Sequence, residues 1–90
     1  RGMDFDDLLR RYFATPAIAD IQPGALEAGI ERMQVDFGLE QDRGKRFALW
    51  SLLHLLGAAP ELEASFEKEA DREAARNLMD MLAASESFDG

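Results

Sequence analysis

Between Phe47 and Leu56 the chain reads FALWSLLHLL, in which eight of ten residues are apolar. Wound as a helix, the segment presents apolar side chains on nearly every side, broken only by a seam of Ser51 and His54. Such a helix has to be covered by other elements. It is also about half of the roughly 20 residues that a membrane span requires. The segment therefore predicts a central helix over 42–56, stopped by Gly57, with Phe47, Trp50 and Leu53 as core anchors.

The flanking sequence supplies helices to do the covering. Only five residues are β-branched, against 14 Ala, 12 Leu and 9 Glu, a composition that favours helix over strand. Phe5, Leu8, Leu9, Tyr12 and Phe13 make one apolar stripe over 4–13, with Asp4 as cap and Arg10 and Arg11 in the last turn. Thr15 as cap and Pro16 as first helical residue predict a short turn at 16–21. Gln22-Pro23-Gly24 opens a helix over 23–37, its stripe formed by Leu26, Ile30, Met33 and Phe37. Gly38 is expected to end it in the left-handed conformation. Ala25 and Gly29, four apart, invite close approach of a second helix. Asp42 should cap the central helix.

The last helix is expected over 60–84, with a bend near Glu69 to Asp71. Its stripe is Leu62, Phe66, Ala70, Ala74, Leu78, Met81 and Leu82, and Ala75, Met79 and Ala83 add a second apolar edge. The predicted fold is all-α, a compact bundle of four main helices in a single domain over 3–85. Arg1-Gly2 reads as a cloning remnant ahead of Met3, and 86–90 as a frayed tail.

Eighteen acidic residues face ten basic ones, a net charge of −8. That balance repels nucleic-acid phosphate and anionic lipid heads, so neither nucleic acid nor membrane is an expected partner. Zero Cys excludes a disulfide scaffold, a thiolate zinc site and a cysteine nucleophile. No secretory leader pattern opens the chain, and a cytoplasmic setting is expected.

Few residues offer chemistry. His54 is the sole histidine, and Ser51 lies three residues before it. A hydrolase-like pair is the remote reading. No Gly-rich segment flanks Ser51 to form an oxyanion hole, so a partly buried structural histidine is expected. Asp4, Asp6 and Asp7 suit a helix start better than a metal. The stretch from Asp36 to Arg46 lacks the alternating acids of a calcium loop. Glu27 and Glu31 share a face, but no Glu-x-x-His accompanies them as carboxylate-bridged metal bundles require. No metal or cofactor is expected. Arg43, Lys45 and Arg46 sit at a helix start, where positive charge opposes the dipole, and should pair with acids such as Glu40 and Asp42. In the last helix Glu63, Glu67 and Asp71 form one stripe. Lys68, Arg72 and Arg76 form another, with Glu69–Arg72 and Glu73–Arg76 pairs between acids and bases.

In length, acidity and helix count the chain resembles acyl carrier proteins, and Gly38-Leu39-Glu40 before a long helix is similar to their attachment segment. In that family an Asp-Ser-Leu motif carries the prosthetic group on its serine. Here Glu40-Gln41-Asp42-Arg43 has no serine, so nothing can be attached. Nuclease-inhibiting immunity proteins are also small, acidic and four-helical, but their tyrosine-containing recognition segment has no counterpart, Tyr12 being the only tyrosine. The function expected is a non-catalytic protein–protein interaction or regulatory module. Its partner, another protein or a second copy, would meet the edge formed by Ala75, Met79, Leu82 and Ala83. The alternative is an acidic inhibitor or phosphate mimic using Glu61, Glu63, Glu67 and Asp71 against a basic target.

Overall fold

The computed structural model describes residues 5–15 and 17–89, with the backbone alone at 5, 18 and 85–89. The expected cap Asp4, the expected helix start at Pro16 and the remnant Arg1-Gly2 lie outside the described residues. Every regular element described is helical: α1 (Phe5–Phe13), a short 3₁₀ turn (Ile18–Asp20), α2 (Pro23–Leu39), α3 (Arg43–Leu55), α4 (Leu62–Ser65) and α5 (Glu69–Asp89). The all-α prediction holds. The chain divides into two compact units, residues 1–59 and 60–90.

In the first unit, α1, α2 and α3 pack against one another in all three pairings. The predicted stripe of α1 is buried at Leu8, Leu9, Tyr12 and Phe13, and that of α2 at Met33 and Phe37. On α3, five consecutive residues from Leu49 to Leu53 are buried. Burial on five successive positions means that more than one side of α3 is covered, as its composition demands. Trp50 and Leu53 are inaccessible to solvent, whereas Phe47 is half-buried. Asp42 caps α3 as predicted, its carboxylate accepting the Lys45 amide at 2.9 Å.

Two helix ends differ from expectation. Gly38 is not left-handed; α2 continues through it to Leu39. The left-handed residue is Ala14 (φ 66°), which closes α1 as its amide donates to the Arg10 carbonyl at 3.0 Å. An L-residue pays about 1–2 kcal/mol for that conformation. Gly57 (φ 78°) does end α3 as predicted.

The close approach foreseen at Gly29 is made by Phe13 of α1. A Cβ on Gly29 would lie 2.1 Å from Phe13 Cε1. Hydrogen at this position is therefore what lets α1 lie against α2.

The basic cluster at the start of α3 has a role that acid pairing does not describe. The Arg46 guanidinium donates to the Phe37 carbonyl at 2.8 Å and the Glu40 carbonyl at 3.0 Å, and lies 4.1 Å from the Phe37 ring centroid. It serves the negative end of α2, where orphan carbonyls gather.

In the second unit, the helix expected over 60–84 is two helices. Phe66 is extended (φ −130°, ψ 134°) and buried. The Lys68 carbonyl then accepts the Asp71 and Arg72 amides, opening α5. Arg72 stabilises the break by donating to the Phe66 carbonyl at 2.8 Å and the Glu67 carbonyl at 3.3 Å. The break resets the helical phase. Ala70 and Ala74, assigned to the inner stripe, are exposed, and Ala75, assigned to the outer edge, is buried. The covered face of α5 runs through Asp71, Ala75, Leu78 and Leu82. The helix continues past Ala84 to Asp89, so residues 86–89, expected to fray, extend it.

Two glycines of α2 should respond oppositely to alanine in urea denaturation. Gly29→Ala overpacks against Phe13 and should cost about 1–3 kcal/mol. Gly38 is helical with nothing within 4 Å of a built Cβ, so Gly38→Ala should stabilise by up to about 1 kcal/mol. Destabilisation by Gly38→Ala would restore the left-handed cap. Trp50→Ala should lose about 3–5 kcal/mol, and a variant melting like the parent would refute the covered helix.

Candidate functional site

The residues expected to meet a partner sit on the second unit, and the structure separates them. Ala75 is buried and belongs to no surface edge. Leu82 and Asp71 are half-buried, whereas Ala83, Glu63 and Glu67 are exposed. Met79 is 38% exposed and Met81 is 65% exposed. Met81, which the unbroken-helix phase had turned inward, thus carries more open apolar surface than Met79.

The charges of this unit are unevenly satisfied. Residues 60–90 hold nine acids and three bases, a net −6, while residues 1–59 hold nine acids and seven bases, a net −2. Two of the three bases are engaged internally. Arg76 bridges Glu63 at 3.0 Å and Glu69 at 3.4 Å, joining α4 to α5. Arg72 meets Glu69 at 3.4 Å besides its carbonyl contacts. The Glu73–Arg76 pair foreseen from spacing gives way to this bridge, because Glu63 presents a carboxylate from the neighbouring helix. Glu67, Glu73 and Asp80 remain exposed.

Ser51 and His54 are not joined as a nucleophile and its base. Ser51 is 3% exposed and its Oγ has no hydrogen-bond partner. His54 stacks on Trp50 one turn away, with ring centroids 5.2 Å apart and planes 9° from parallel. A nucleophilic hydroxyl needs its base within hydrogen-bond reach. Among the described residues, no group of three or more His, Cys, Asp or Glu side chains is placed to hold a metal ion. No described helix is long and apolar enough to cross a membrane.

A site the sequence did not single out lies in the first unit, where α1, α2 and the start of α3 leave a hollow of about 260 Å³. Leu8, Leu39 and Leu49 are its apolar lining. Arg11, Lys45, Asp36 and Glu40 bring two charges of each sign, and Tyr12 completes it. The Tyr12 hydroxyl donates to Asp36 Oδ2 at 2.5 Å. Arg32 crosses the Tyr12 ring 5.3 Å from its centroid and donates to the Arg11 carbonyl at 3.4 Å. Burial pushes the Tyr12 phenol up to about 12, helped by its hydrogen bond to Asp36 and that carboxylate's charge. Arg11 and Arg32 pull the other way. The phenol therefore stays protonated at neutral pH, a donor rather than a base. Periodicity placed Tyr12 on the stripe of α1, but spacing within one helix could not point to Asp36, 24 residues on.

No family model, curated protein or solved structure matches this chain.

Tyr12 is the only tyrosine, so alkaline ultraviolet titration reads it directly. The folded protein should titrate near 12. Asp36→Asn should lower the midpoint, leaving it above 10 because burial remains. Stability from this group is intact below pH 10. It falls between 10 and 12, where the unfolded chain has released the proton and the folded one retains it. A midpoint near 10 in protein that circular dichroism shows still folded would remove the Tyr12–Asp36 bond.

Proposed function

We propose that this chain is a non-catalytic interaction module whose second unit docks on a basic protein surface. The observation that carries the reading is the concentration of charge: net −6 over residues 60–90, with Arg72 and Arg76 held in internal contacts. Their engagement with Glu63 and Glu69 leaves Glu73 and Asp80 of α5 to face outward. Charge complementarity of this kind steers encounter and selects against like-charged partners. It also disfavours a second copy, since two such units repel. Met79 and Met81 add adaptable apolar contact beside the acids. Inhibition by mimicry of phosphate is the narrower form of the same proposal, in which the basic surface is an anion-binding site. A cytoplasmic setting is part of the reading.

A fluorescent amphipathic Lys/Leu peptide serves as probe. Its affinity should fall about tenfold or more as salt compresses the screening length from roughly 10 Å at 0.1 M towards 3 Å at 1 M. The double reversal Glu73→Lys/Asp80→Lys should weaken binding far more than Glu27→Lys/Glu31→Lys in the first unit. Met79→Gln with Met81→Gln should weaken it at every salt concentration. Equal loss from the two reversals would mean that only net charge matters, and the docking surface would be wrong.

A further inference from the structure

The hollow of the first unit is lined only by residues of that unit, from Leu8 to Leu49, and its lining is incomplete in one respect. Both of its carboxylates already have donors. Asp36 accepts the Tyr12 hydroxyl, and Glu40 Oε2 accepts the Asp42 amide at 3.1 Å. Its two cations do not have acceptors: the side chains of Arg11 and Lys45 make no hydrogen bond or ion pair with a described residue. Hence the group the hollow lacks is an anion. Arg11 and Lys45 are both exposed, so their charged ends are open to an incoming ligand.

The walls define the rest of the ligand. Leu8 and Leu49 are buried core side chains that also face the hollow, and Leu39 is 74% exposed at its edge. A wholly polar anion would leave the exposed Leu39 side chain, the main open apolar surface here, unused. The hollow's volume of about 260 Å³ corresponds to roughly nine waters at about 30 Å³ each. It is below the range of about 300–1,000 Å³ usual for drug-sized ligands. The carboxylates of Asp36 and Glu40 repel a doubly charged phosphate more than a single carboxylate. An Arg fork meets a carboxylate in two parallel hydrogen bonds, and a Lys ammonium adds a point charge.

We propose that this hollow binds a small organic monocarboxylate, its apolar body against Leu8, Leu39 and Leu49 and its carboxylate held by Arg11 and Lys45. Tyr12 acts as a positioning residue. Its hydroxyl takes one oxygen of Asp36 and so fixes the orientation of that carboxylate at the hollow.

Hexanoate is the probe, with hexanamide as its uncharged counterpart and acetate as the anion without a body. Methyl-labelled protein followed by NMR should show saturable shifts at Leu8, Leu39 and Leu49 with hexanoate. Hexanamide and acetate should each bind about tenfold more weakly, the factor that roughly 1.4 kcal/mol represents. Arg11→Gln/Lys45→Gln should bring hexanoate down to the level of hexanamide without altering hexanamide binding. Absence of saturable shifts at these methyls would overturn the proposal. So would hexanamide matching hexanoate, which removes the anion, or acetate matching it, which removes the apolar body. The comparison among the three ligands needs only the parent protein, so the answer does not depend on how the double variant folds.

Discussion

Covering α3 is the constraint from which the first unit follows. Trp50, Leu52 and Leu53 are all within 1% of full burial, and one neighbouring helix cannot enclose three side chains that point in different directions within a single turn. Both α1 and α2 are needed, and they must also lie against each other. That contact is possible because Gly29 leaves room for the Phe13 ring. The hollow arises from the same arrangement. Leu8 and Leu49 are core residues of α1 and α3, and they become its walls where the covering helices end. A ligand there would touch the packing that holds the unit together, so binding and stability are linked.

Arginine has a recurring use in this chain. Arg32 of α2 reaches the Arg11 carbonyl at the end of α1, Arg46 of α3 reaches carbonyls at the end of α2, and Arg72 of α5 reaches those following α4. In each case a cation satisfies orphan carbonyls at the negative end of the preceding helix. No basic residue lies in the last turn of α2 or α4 itself, so the following helix supplies one. This also bears on function. A guanidinium tied to a carbonyl keeps its full charge but is fixed in place, so the net −6 of residues 60–90 stands and the fold sets where its positive charge lies.

Much of this architecture was legible in the sequence. The apolar run of α3, the stripes of α1 and α2, the Asp42 cap and the Gly57 stop all depend on local spacing, and local spacing predicted them. The failures have a common physical origin in information that lies elsewhere in the chain. Gly38 permits a left-handed turn but does not require one, and α2 runs through it to Leu39, with Arg46, eight residues on, donating to the Phe37 and Glu40 carbonyls on either side. Ala14 adopts the left-handed conformation despite its side chain, its amide closing α1 on the Arg10 carbonyl. The break at Phe66 is invisible to propensity, since no Gly or Pro marks it. Once its position is missed, the stripe is carried across it unshifted: Leu78 and Leu82 still fall on the covered face, but Ala75 and Met81 are exchanged between inside and outside. The hollow was beyond reach for the same reason: its defining bond joins residues 24 apart.

The two candidate surfaces differ in how ionic strength acts on them. The attraction proposed between residues 60–90 and a basic partner would come from many exposed charges summed over distance, and counterions weaken such a sum at physiological salt. The hollow offers two cations at the rim of an apolar recess, where a bound carboxylate would be partly removed from water and its short-range hydrogen bonds screened less. A net charge of −6 in one unit and −2 in the other strengthens the contrast, because a small anion approaching the first unit meets little repulsion from that unit's own charge. Ionic strength thus separates the two activities physically: salt that releases a basic partner from the acidic helix should leave a small carboxylate in the hollow largely bound.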